Sequence, residues 1–120
     1  MANEIKQKRL EGIIRRNISE IIQYELKDPN VGFITVTHVK VSNDHSYATI
    51  FVTFMASGNK KKEGLEALHR ARGFIRSMLA SRLDIRRCPE LTFKIDEVEE
   101  KGRRIDELLA EIQQKNGESL

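Results

Sequence analysis

The sequence predicts an α+β fold, a single domain in which helices pack against a three-stranded sheet. Three observations predict it. Residues 4–27 carry apolar side chains at helical spacing, and two β-branched stretches separated by turn residues follow as a hairpin. Two short helical patterns that meet at a glycine then lead into a third alternating stretch. At 120 residues the chain is one domain, long enough to bury roughly two-thirds of its unfolded surface.

The first helix is expected over residues 4–27. Leu10, Ile13, Ile14, Ile18, Ile21 and Ile22 share one stripe, while Lys8, Arg9, Arg15 and Arg16 project from roughly the opposite side. Gly12 is tolerated within it at a cost. Lys27 lies at the favourable, negative end of the helix dipole. Asp28 and Pro29 end the helix, and Gly32 supplies a turn.

Phe33 to Ser42 is strand-like, but its apolar phase moves from Ile34 and Val36 to Val39 and Val41. Strand period is two, so the switch predicts a bulge near Thr37 and His38. After the turn residues Asn43 to Ser46, Tyr47 to Met55 alternates cleanly, with Ala48, Ile50, Val52 and Phe54 facing one way. Ser57 or Asn59 is an available cap for the next helix, which opens on Lys60, Lys61 and Lys62.

In the helix pair, Leu65 and Leu68 mark one stripe, and Phe74, Ile75, Met78 and Leu79 mark the other. Ala71 and Gly73 form the junction, read as a close-packed kink that Gly73→Val would destabilise. Leu91, Phe93 and Ile95 alternate in the third strand, after a stop at Cys88 and Pro89. Beyond it Ile105, Leu108, Leu109 and Ile112 give a short C-terminal helix, with fraying from Asn116 onward. Residues 1–97 are thus read as the binding domain and 98–120 as an acidic helix and tail.

The net charge of +3 hides an asymmetry: residues 1–87 carry +7 and residues 88–120 carry −4. A basic body favours a polyanion such as nucleic acid, although an ordinary solvated surface explains the charge equally well. No apolar run reaches the roughly 20 residues of a membrane helix, the first residues lack the apolar region of a signal peptide, and the lone Cys88 allows no internal disulfide. These features suit a reducing cytoplasm.

Catalytic chemistry finds little support. His38, His45 and His69 are scattered, Cys88 reads as a small apolar filler, and no glycine-rich phosphate loop occurs. Neither a metal nor a cofactor is expected. For nucleic acid, the candidate contacts are Lys8, Arg9, Arg15, Arg16, Lys60, Lys61, Lys62, Arg72, Arg76, Arg82, Arg86 and Arg87. Phe33, Phe51, Phe54, Phe74 and Phe93 are assigned mostly to core-facing phases, so base stacking on the sheet is not expected. Arg76→Glu is expected to leave stability within about 0.5 kcal/mol of wild type.

Helix, two strands, bent helix pair and strand is the element order of a type II KH domain. Glu25-Leu26-Lys27-Asp28-Pro29, Gly32, Val41-Ser42 with Asp44, and Tyr47-Ala48 resemble the bacterial ribosome-binding factor A family. So do Val52-Thr53-Phe54, Ala71-Arg72-Gly73-Phe74-Ile75-Arg76-Ser77, and Pro89-Glu90-Leu91-Thr92-Phe93 with Asp96. The resemblance runs from about Arg9 to Leu109. It implies a monomeric, non-enzymatic assembly factor that binds the immature 30S ribosomal subunit and its 16S rRNA near the decoding region. It further implies support for late rRNA maturation and growth in the cold, without a membrane. KH domains usually join their helices by a GxxG loop that clamps four nucleotides. Here the junction is Ala71-Arg72-Gly73, which implies contact with folded rRNA rather than base-by-base reading. A protein-interaction module, docking through the hairpin edge or the C-terminal helix, is the alternative.

Overall fold

The computed structural model describes residues 2–26, 28–55, 58–83 and 87–118. Helix α1 spans Ala2–Glu20 and continues into one π-helical turn, Ile21–Glu25. The wider turn is closed by the Leu26 N–H, which donates to the Ile21 carbonyl at 2.9 Å. Leu26 is already extended (φ −86°, ψ 113°), so the helix ends short of the expected residue 27; Lys27 lies outside the described residues. Asp28 then holds the turn, its Oδ1 accepting the Asn30 N–H at 3.0 Å.

Strands β1 (Ile34–Val41) and β2 (Tyr47–Phe54) form the expected antiparallel hairpin. The register shifts between Val36 and His38, which leaves Thr37 as the extra residue of a bulge. The bulge keeps Val36 below it and Val39 and Val41 above it on the buried face. Asp44 shapes the hairpin turn by accepting from the Ser42 hydroxyl and the Ser46 N–H. The former of these hydrogen bonds is the first cause of a carboxyl pKa held below the usual value.

The chain leaves β2 through α2 (Asn59–Arg70) and α3 (Arg72–Leu83), and returns as β3 (Glu90–Ile95), parallel to β2. The sheet order is β1-β2-β3, the KH-like arrangement. Ile14, Ile18 and Ile21 from the first helix, Leu68 from α2, and Ile75 and Leu79 from α3 are buried with Ile50, Val52, Phe54, Leu91 and Phe93 of the sheet. Such a core follows from the apolar stripes read in the sequence.

The helix junction differs from expectation. Ala71 (φ −86°, ψ 0°) is the single residue between α2 and α3, and its N–H still bonds the Ala67 carbonyl. Gly73 lies inside α3, exposed, and a Cβ there would meet nothing within 4 Å. The close approach belongs to Gly64, where an added Cβ would sit 2.5 Å from Cε1 of the buried Phe54 ring. Helix α2 is therefore brought onto the sheet by a glycine in its middle, and the bend needs no glycine. Asn59 is the first residue of α2 rather than its cap; Gly58 holds the cap position without a side-chain hydrogen bond, and Ser57 lies outside the described residues.

Helix α4 (Glu97–Glu118) has 22 residues, so it is neither short nor frayed from Asn116 to Glu118. Its cap is Asp96, whose Oδ1 accepts the Glu99 N–H at 3.1 Å. The other carboxylate oxygen accepts the Thr37 hydroxyl at 2.7 Å, which ties the β1 bulge to the start of α4. No described helix is long and apolar enough to cross a membrane.

Candidate nucleic-acid interface

The outer face of α1 is a row of cations. Ile14 and Ile18 are buried on the sheet; at 100° per residue, Arg9 and Arg16 stand on the opposite side. Lys8 and Arg15 stand between that side and β1, and Arg15 lines a shallow groove with Thr37 and His38. All four are exposed, and none is in an ion pair among the described residues. The row extends about 12 Å along the helix axis.

Three other candidates are engaged within the protein. Arg76 donates from Nη2 (2.7 Å) and Nε (3.3 Å) to the Cys88 carbonyl. It therefore anchors the segment entering β3, and it is not the free surface arginine the sequence suggested. Lys61 is paired with Glu100 at the start of α4. Arg82 is paired with Glu20 at 2.7 Å and reaches toward Asn17, so it joins α3 to α1. Lys60, Lys62, Arg72 and Arg87 are exposed; Arg86 lies outside the described residues.

The candidates do not converge on one surface around the helix junction. Arg76 contacts Cys88, two residues before β3, whereas Lys61 contacts Glu100, five residues after it. Those sites are separated by the length of the strand, roughly 17 Å at 3.3 Å per residue. Helix α2 carries Lys60–Lys62 away from Arg72 by its full length. What remains together is the α1 row.

Sequence reasoning also misplaced two aromatic rings. Phe54 and Phe93 are buried as expected, but Phe33 and Phe74 are exposed. Phe33 precedes β1 in a loop set by Gly32, whose φ is 63°. It is one residue out of phase with Ile34 and Val36, so the strand period places it on the face away from the core. Its neighbour across the hairpin, Met55, is also exposed.

Among the described residues, titratable groups form no catalytic assembly that the geometry connects. Burial raises the Cys88 thiol pKa, and the Sγ lies 3.7 Å from the Arg76 carbonyl. His38 packs edge-on to Phe51 and His69 edge-on to Phe93, at 5.1 and 6.1 Å. Among the described residues no three of His, Cys, Asp and Glu gather as a metal site.

Helix α4 docks by its polar side. Arg103 donates to the Phe54 carbonyl at 2.8 Å, and Glu100 accepts the Phe54 N–H at 3.4 Å. Ile105, Leu108, Leu109 and Ile112 lie on the other side and are exposed.

Residues 6–109 match the family model for ribosome-binding factor A. Ribosome-binding factor A of Macrococcus caseolyticus is 42% identical over 108 residues, covering 90% of this chain and 95% of the relative. The crystal structure of ribosome-binding factor A from Thermus thermophilus superposes with a TM-score of 0.68 at 32% identity, covering 74% of this chain and 93% of that one. A Thermus thermophilus homology model fitted into a cryo-EM map of a complex with 30S is similar at a TM-score of 0.62 and 34% identity, covering 72% of this chain and 90% of that one.

Proposed function

The chain belongs to the ribosome-binding factor A family, and from that membership we propose that it binds the immature 30S ribosomal subunit through 16S rRNA near the decoding region. It acts in the cytoplasm as a monomer, by binding rather than by chemistry, and supports late rRNA maturation and growth in the cold. Residues 1–97 form the RNA-binding part, and 98–120 the acidic helix and tail.

The observation that carries the RNA surface is the α1 row. Lys8, Arg9, Arg15 and Arg16 are exposed and without ion-pair partners among the described residues, whereas Lys61 and Arg82 are neutralised internally. Free cations on a rigid helix can each displace a counterion from a phosphate backbone. Lys60, Lys62, Arg72 and Arg87 add positive charge at other points of contact. With Ala71 alone between α2 and α3, and Arg72 and Gly73 already inside α3, the helix pair has no GxxG loop, which supports recognition of RNA shape and backbone over base reading.

The test is the salt dependence of binding to purified precursor small subunits. Arg9→Glu with Arg16→Glu should weaken binding more than tenfold and lower the salt slope by about 1.5 to 2, with the melting temperature unchanged. Salt-insensitive binding that survives this double reversal would refute the assignment of the surface.

A second reading rests on the exposed apolar stripe of α4, which suits a protein contact. It requires binding that ignores salt and fails on Leu108→Glu.

A further inference from the structure

We propose that Phe33 and Met55 form a stacking platform for an unpaired base of single-stranded RNA, with Lys60 contacting the adjoining phosphate. This rests on the ribosomal reading above and deepens it by naming where a base is held.

Phe33 is 85% exposed and Met55 is 73% exposed. A single apolar side chain in water is ordinary, but two side by side on a fixed backbone make a surface. The backbone here is fixed. Gly32 turns the chain at φ 63°, Val31 before it is buried, and Ile34 after it packs against the core. The Phe33 carbonyl accepts the Met55 N–H at 3.1 Å. The ring is therefore presented by a loop anchored on both sides, which lowers the ordering cost of binding.

The surroundings favour a nucleotide. Phe33 borders a groove of about 490 Å³ shared with Met55, Lys60 and Glu63. It also borders a second groove, with Gln23 and Leu26, on α1's side. Lys60 is exposed in the first turn of α2, and Arg103 holds Nη1 at 3.8 Å from the Met55 Sδ. Cations beside an apolar platform match a flat aromatic base carrying an anionic backbone. The polarizable thioether extends the surface on which the base rests. Glu63, across the groove, is an acceptor suited to an exocyclic amino group.

The discriminating experiment compares Phe33→Trp, Phe33→Leu and Phe33→Ala for affinity toward purified precursor small subunits, with a melting temperature for each. Stacking predicts that Trp binds within about threefold of wild type, while Leu and Ala each lose on the order of 5- to 100-fold. The salt slope should stay constant across the three, because stacking releases no counterions. Melting temperatures should not move, since the ring is outside the core. Retained binding with Leu but not Ala would overturn the proposal in favour of an apolar protein contact. Wild-type binding by all three, or loss with Trp as well, would also overturn it. Failure of the wild-type protein itself to bind would instead refute the ribosomal reading on which it stands.

Discussion

Arg76 grips the carbonyl of Cys88 with two guanidinium nitrogens, at 2.7 and 3.3 Å, and so pins α3 to the entrance of β3. The contact reassigns a residue that looks like surface charge in the sequence to a structural task.

Arg76→Glu should therefore destabilise the protein. Losing charge-assisted hydrogen bonds to a half-buried carbonyl costs about 1.5–3 kcal/mol, well beyond the 0.5 kcal/mol of a surface change. Chemical denaturation checks this. Arg76→Lys should recover only part of the loss, because an ammonium lacks the fork.

The two helix-pair glycines should behave oppositely. Gly64→Ala drives a methyl into the buried Phe54 ring and should cost about 1–3 kcal/mol. Gly73→Ala meets open space and should be neutral or up to about 1 kcal/mol more stable. Melting temperatures of the two variants decide the matter.

Asp96 should titrate low. The Thr37 hydroxyl, followed by the Glu99 N–H, holds its carboxyl below the usual value. A depressed folded pKa contributes stability that is complete above the ordinary value near 3.8 and is lost as pH falls through the folded pKa. Thr37→Val should raise the Asp96 pKa toward ordinary and soften the acid limb below pH ~4. Carboxyl NMR titration of both proteins measures it.

The Glu20–Arg82 pair should be a minor contributor. Both side chains are partly solvated, and such pairs couple by about 0.2–1 kcal/mol. A double-mutant cycle of Glu20→Gln and Arg82→Gln reads the coupling, and added salt should reduce it.

Much of the architecture was legible in residue patterns. The β1 bulge followed from the phase change between Val36 and Val39, and the α1 row from cations facing away from Ile14 and Ile18. Contacts between distant segments were not legible. Nothing local links Arg76 to Cys88 or Lys61 to Glu100, and no pattern marks Gly64 rather than Gly73 as the glycine under a ring. Phe33 misled because its apolar character was weighed above its phase, which is opposite to that of Ile34 and Val36. An aromatic directly after a turn glycine was the available signal.

The edge strand of the sheet has a further consequence. At its last rung, Val41 gives its N–H to Glu11 at 2.7 Å, and its carbonyl accepts from the Gln7 amide. A foreign strand arriving there would find both hydrogen-bonding groups occupied by side chains of its would-be neighbour's own helix. Two α1 residues one turn apart thus guard a seam through which crowded chains could otherwise polymerise, and Gln7→Ala with Glu11→Ala would leave that seam open.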